Sequence, residues 1–160
     1  MTRPADIGVL APSDVAAPVT VEIPSLGILG PVLPAGVNAE NQLDVPPDAL
    51  SLVWYRHGPS PGGAGSAVIA GHLNWKGVTG IFSDLALLPV GEVVTVTYDD
   101  GSRRDFAVTT VQLVPKPAVS VDGTFARRGD GVLRLVTCGG EFDDAVSSYK
   151  SNVIATAVPV

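Results

Sequence analysis

Cysteine occurs once in the 160 residues, as Cys138, and histidine twice, as His57 and His72. A lone thiol forms no internal disulfide, and without a second thiol it builds no metal site of the zinc-finger kind. It is then either an inert small hydrophobe or a reagent, and its neighbours decide which. Cys138 closes the run Leu133-Arg134-Leu135-Val136-Thr137 and is followed at once by Gly139-Gly140. At a strand end a side chain reaches a groove instead of the core, and glycines let a substrate backbone come close. A solitary cysteine is more often buried and structural, and this position weakens that ordinary reading without removing it.

His72 follows Val68-Ile69-Ala70-Gly71, again at the end of an apolar run. Taken alone, such a histidine is ordinarily satisfied by a backbone partner. Taken with Cys138 it gives two strand ends, one bearing a thiol and one an imidazole, which is what cysteine acyl transfer requires. The thiolate attacks a carbonyl; the imidazolium stabilises it and then protonates the leaving amine. His57 lies in a polar turn among Arg56, Gly58 and Pro59 and reads as a solvated loop residue.

The elements that must position these groups read as β throughout. Residues 1–18, rich in Pro, Ala and Asp, form an irregular lead-in expected to wrap the surface. Val19 to Ile23 alternates with period two and stops at Pro24; Ile28 to Val32 is a second short strand, interrupted by Gly30 and Pro31; Leu50 to Tyr55 is a third. Ser60 to Ser66 is a turn-rich loop leading into the buried strand Ala67 to Ala70. Phe82, Leu85 and Leu88 recur at three-residue intervals and predict a short helix over 79–88. Val93–Tyr98 and Arg104–Val111 flank Asp99-Asp100-Gly101-Ser102, the clearest hairpin signal in the chain. Leu133 to Cys138 is a strand ended by the glycine pair, and Asn152 to Val158 is the last. About eight strands with one or two short helices predict an all-β fold closed, or nearly closed, into a barrel, which removes exposed sheet edges.

Composition narrows the function. Apolar residues make up 46% and charged residues 16%, so the chain folds, and 18 glycines and 14 prolines favour short strands joined by turns. A net charge of −6 argues against a nucleic-acid partner. No apolar stretch approaches the roughly 20 residues of a membrane helix, and no signal-peptide pattern opens the chain.

Ordered along the chain, several motifs resemble the sortases, secreted cysteine transpeptidases. Val68-Ile69-Ala70-Gly71-His72, with Phe82 and Leu85 downstream, is similar to their histidine motif, and Leu135-Val136-Thr137-Cys138-Gly139-Gly140 to their cysteine motif. Trp54-Tyr55, the Pro61-Gly62 loop, Phe142-Asp143 and Tyr149 before Asn152-Val153-Ile154 resemble the actinobacterial class F branch. The resemblance runs from about Val19 to Val158, making 19–160 the catalytic domain. It implies an eight-stranded sortase barrel with Cys138 as nucleophile and His72 as acid/base. The implied substrate is a surface protein with a leucine-proline-x-threonine-glycine sorting signal, cleaved between Thr and Gly through a thioacyl intermediate. The implied acceptor is an amine on a cell-wall precursor or a pilin lysine. No cofactor is implied, and no acidic cluster suggests the calcium regulation of some relatives. An extracytoplasmic location, with a membrane anchor outside this chain, also follows from the resemblance.

One departure stands out. Sortases usually carry an arginine on the last strand that holds substrate and helps stabilise the oxyanion. Here Asn152 takes that position, with Lys150 two residues before it; if the strand reaches back that far the two share a face. Asn152 would donate without charge and Lys150 would supply charge. Arg134 has the parity of Cys138 but lies roughly 13 Å from it along the strand, and its expected role is a barrel-rim salt bridge. Arg56 is a further candidate. Thr137 faces the opposite way from Cys138 by strand alternation, and the resemblance gives it a part in shaping the substrate site. Trp54 and Tyr55 read as core and rim aromatics.

Two rivals were weighed against this. The L,D-transpeptidases also pair Cys with His on a β-rich fold, but they approach the cysteine through Ser-x-Gly with a His-Gly close before it, unlike this chain. A secreted β-barrel binding module with an inert Cys138 is the alternative outside enzymology, and thiol reactivity separates it.

Overall fold

The computed structural model describes residues 16–36, 46–75, 77–115, 131–143 and 148–160, with the backbone alone for 75, 114–115, 138–143 and 148–152. Most of the lead-in therefore lies outside the described residues. Its last part is tied down: the Ala17 carbonyl accepts the Asp99 N–H at 2.9 Å, and the Ala16 carbonyl accepts the Ser60 hydroxyl at 2.6 Å.

Eight strands close into a barrel: β1 (Pro18–Ile23), β2 (Ile28–Ala35), β3 (Leu52–Tyr55), β4 (Ser66–Ala70), β5 (Val93–Tyr98), β6 (Arg103–Pro115), β7 (Val132–Asp143) and β8 (Ser148–Pro159). Around the barrel they run β7-β8-β6-β5-β1-β2-β3-β4, with β4 closing on β7. Two neighbouring pairs are parallel, β2 with β3 and β4 with β7; the rest are antiparallel. A two-stranded ribbon, Asn74–Trp75 with Val78–Thr79, stands outside the barrel.

Period-two alternation decides which side chains fill the interior. Val94, Val96 and Tyr98 of β5, Leu133 and Leu135 of β7, and Val153, Ala155 and Ala157 of β8 all join one buried cluster. Phe82 and Leu85 enter it from the connection after β4 and are fully buried. Each such side chain contributes about 2 kcal/mol through burial. Tyr98 is the polar member: its hydroxyl donates to the Pro61 carbonyl at 2.6 Å, and burial pushes its pKa up to about 12. That bond ties the Pro-Gly loop to the barrel.

The structure differs from the sequence expectations in three places. Residues 79–88 form no α-helix, only a single 3-10 turn at Leu85–Leu87. The reason lies in the backbone donors. The N–H groups of Gly80, Ile81 and Phe82 go to the carbonyls of Leu73, Ala49 and His72, which fastens the stretch to other segments. Those of Ser83, Leu85, Leu87 and Leu88 go to carbonyls three residues back, so no i→i−4 ladder forms. The following residues make three-residue turns instead, and the spacing of Phe82, Leu85 and Leu88 suits that tighter period. Second, β2 continues past Gly30 and Pro31 to Ala35, because β3 pairs with it from Val32 onward. Gly30 is needed there, since a Cβ would meet the Leu50 carbonyl at 3.2 Å and the Ile81 side chain more closely still. Third, β7 does not stop at the glycine pair. It runs through to Asp143, with a register irregularity between Gly139 and Phe142.

The hairpin is as expected, with Gly101 at φ 85° and the Ser102 carbonyl accepting from the Tyr98 N–H at 2.9 Å. Trp54 is half-buried and donates its indole N–H to the Pro59 carbonyl at 3.0 Å, while Tyr55 is buried. Both are structural aromatics.

Candidate active site

Three adjacent strands, β4, β7 and β8, bring the chemistry-bearing residues together. Along the parallel pair, Val132 lies opposite Ser66 and Val136 opposite Ala70. The Gly71 N–H then donates to the Val136 carbonyl at 3.1 Å, so the chain leaving β4 stays against β7. His72 is two residues past Ala70, and Cys138 is two past Val136. The register thus sets two residues far apart in sequence equally far beyond one paired couple, Ala70 and Val136. On its other side Cys138 pairs with Asn152 of β8. Past Val136, β7 keeps β8 but loses β4, so the strand end expected at Cys138 is an end on the β4 side alone.

His72 is half-buried and held at both ends. Its Nε2 lies 2.9 Å from the Pro46 carbonyl. A carbonyl only accepts, so Nε2 is the donor in this bond. The backbone is gripped as well: the His72 carbonyl accepts the Phe82 N–H at 3.1 Å, and the Leu73 carbonyl accepts the Gly80 N–H at 2.9 Å. Glycine is required on both sides of this crossing. A Cβ on Gly80 would run into the His72 carbonyl, and one on Gly71 would come within 2.6 Å of Leu52.

The segment that supplies Pro46 was not singled out by sequence. Its own turn is fastened by Asp48, whose carboxylate accepts the N–H groups of Leu50 and Ser51 at 3.0 and 2.8 Å and the Ser51 hydroxyl at 3.1 Å. The Ser51 hydroxyl, then the Leu50 amide, hold the Asp48 carboxyl below the usual carboxylate range, and the nearby His72 charge adds to this. One residue on, the Ala49 carbonyl accepts the Ile81 N–H at 2.8 Å. Residues 46–51 and 80–82 thereby form a closed circuit through His72, one holding its ring and the other its main chain. The signal available in the sequence was Asp48 three residues before Ser51, an Asx-type turn. Asp48→Ala is expected to lower turnover about 5- to 10-fold, short of the roughly 100-fold that an ångström's misplacement can cost. Asp48→Asn should restore most of it, because its side-chain oxygen still accepts both amides. Steady-state kinetics on the two variants checks this.

The remaining candidates separate by position. His57 is exposed and meets only the edge of Tyr55, at 5.8 Å between ring centres, among its ring contacts. It follows β3, which runs antiparallel to β4, and so lies at the opposite end of the barrel from His72. Arg56 is exposed at that same far end, its N–H on the Ala35 carbonyl at 3.0 Å. Thr137 is buried, 2% exposed, on the inner face with Leu133 and Leu135. β8 reaches back to Ser148, so Lys150 and Asn152 lie on one strand with the same parity; their side chains, like that of Cys138, lie outside the described residues. Among the described residues Arg134 makes no salt bridge. Its Nε donates to the Ser66 hydroxyl at 3.3 Å and its Nη1 to the Thr156 hydroxyl at 2.9 Å. A depression of about 600 Å³ lined by Arg103, Arg104, Asp105 and Val160 is remote from His72, because β8 ends there and runs antiparallel to β7.

Comparison with known proteins agrees with this architecture. The sortase domain profile matches residues 21–160. This chain belongs to the sortase family of cysteine transpeptidases. Sortase A of Corynebacterium diphtheriae, in a lid mutant, superposes with a TM-score of 0.67 at 18% identity, over 90% of this chain and 70% of that one. Sortase C-1 of Actinomyces oris gives 0.66 at 21% identity, over 89% and 74%. Sortase A of Listeria monocytogenes gives 0.66 at 19%, over 91% and 88%. These likenesses are of the fold. The sequence matches none of the curated proteins compared with it.

Proposed function

We propose that Cys138 attacks the Thr–Gly carbonyl of a leucine-proline-x-threonine-glycine type sorting signal, with His72 as acid/base. The thiolate adds to the carbonyl carbon, and the C–N bond breaks. The glycine amine leaves with a proton from the imidazolium, and the chain stays on sulfur as a thioester. An amine from a cell-wall precursor or a pilin lysine then attacks the thioester, its proton passing to His72 as the C–S bond breaks. The observation that carries this reading is the parallel β4–β7 register, in which His72 and Cys138 stand equally far beyond a paired couple.

Asn152, opposite Cys138 on β8, is the donor for the developing oxyanion, and Lys150 supplies charge nearby. Thr137 acts from inside the barrel by bracing β7, not by touching substrate. No cofactor takes part. The ordered motifs from Trp54 to Ile154 favour class F within the family, and the reaction belongs on the outer side of the membrane.

The test incubates the domain with a sorting peptide and triglycine and follows products by mass spectrometry. Cleavage between Thr and Gly with transfer to the amine is expected. No cleavage across a panel of sorting peptides, with Cys138 also resistant to iodoacetamide, would leave a barrel with an inert thiol.

A further inference from the structure

The outer face of the β4–β7–β8 sheet carries a ladder of chemistry leading away from the catalytic row. The first row holds Cys138 and Asn152, with His72 beside them. Two residues back along each strand, Ala70, Val136 and Ile154 form an apolar row. Two residues further, Val68, Arg134 and Thr156 form the next. Their inward neighbours Ala67, Ile69, Leu133, Leu135, Ala155 and Ala157 belong to the barrel core, so these rows face outward. Val68 and Ile154, 1% and 6% exposed, are covered by the chain itself, whereas Ala70, Arg134, Val136 and Thr156 are half-buried and leave β7 as the accessible floor of this face.

Into this floor the chain sets a guanidinium. Arg134 is half-buried, and both of its described partners are hydroxyls, Ser66 and Thr156. Hydroxyls accept its hydrogen bonds but do not neutralise it. Among the described residues the ion pair is Arg103 with Glu22, at 3.9 Å; no carboxylate meets Arg134. Withdrawing a cation from water without a counter-charge is unfavourable, so the position is suited to a ligand that brings one. A planar guanidinium with donors to spare matches a carboxylate in particular.

Seated with its glycine side beside His72, the peptide has for its acyl side the stretch of β7 that is flanked by both β4 and β8. An extended peptide and a strand both rise about 3.3 Å per residue. The apolar row then falls beside the proline and leucine of the motif, and Arg134, four residues from Cys138, beside the residue just before the leucine.

Building on the proposed function, we propose that Arg134 is a specificity-determining residue that selects an acidic side chain immediately preceding the leucine of the sorting motif. The test measures kcat/KM for three peptides identical except for Glu, Gln or Lys at that position. The wild-type enzyme should prefer Glu over Lys by about tenfold, as a partly desolvated charge pair allows. Arg134→Gln should level the three and Arg134→Glu should invert the order. Equal cleavage of all three by the wild-type enzyme overturns the proposal and leaves the sortase reading intact. So does a Glu preference that survives in Arg134→Gln. Failure to cleave any of them, with Cys138 inert to alkylation, overturns both. If Arg134→Gln does not fold, Arg134→Met, which keeps the apolar stem without the charge, takes its place and should level the three peptides in the same way.

Discussion

Replacing Cys138 with alanine is expected to abolish transfer, by at least about 1000-fold, since removing a nucleophile leaves only the rate from binding and oxyanion contacts. The substitution deletes the atom that forms the thioester, and no second cysteine exists to take its place. Stability should change by less than about 1 kcal/mol, because β7 stays paired to β8 through backbone bonds that do not involve the side chain. The assay is peptide transfer by mass spectrometry, with circular dichroism on the same samples. A variant that unfolds would mark Cys138 as a core residue and remove the main support for its chemical role. Iodoacetamide should inactivate the wild-type protein in parallel.

His72→Ala is expected to lower transfer by about 100- to 10,000-fold, the usual worth of a positioned general acid/base. The defect should depend on the leaving group. An amide nitrogen must be protonated to depart, whereas an ester oxygen leaves far more readily. A substrate with an ester at the Thr–Gly position should therefore suffer a clearly smaller loss in the variant than the amide does. Equal losses on both would move the role of His72 from protonating the leaving group to forming or orienting the thiolate.

The barrel was legible in the sequence because its strands are half-buried and so alternate. Val93–Tyr98 and Leu133–Thr137 declare their inner faces residue by residue, and Asp-Gly fixes the hairpin between β5 and β6. The two candidate residues could be picked out because apolar runs lead to each. The register that sets them equally far beyond Ala70 and Val136 was not legible, since the β4–β7 pairing joins segments far apart in sequence and leaves no local mark. Nor was the part played by Pro46, because a backbone carbonyl has no sequence signature. The false helix over 79–88 arose from a local rule losing to tertiary contacts: carbonyls of Ala49, His72 and Leu73 fasten the start of the segment, and the residues after it bond three residues back, not four. The glycines after Cys138 misled in the same way, since an antiparallel neighbour kept the strand going where composition suggested a stop.

The circuit around His72 has a thermal consequence. Residues 46–51 and 80–82 are joined to one another by few bonds and lie outside the eight-stranded ladder. Segments of that kind open with less free energy than the strands they rest on. Opening residues 46–51 releases the imidazole from the Pro46 carbonyl while the barrel, with Phe82 in its core, remains closed. Warmed slowly, the protein should lose transfer activity at a lower temperature than its far-ultraviolet β signal, and regain it on cooling. Its working ceiling is then set by one short connection, not by the melting of its core.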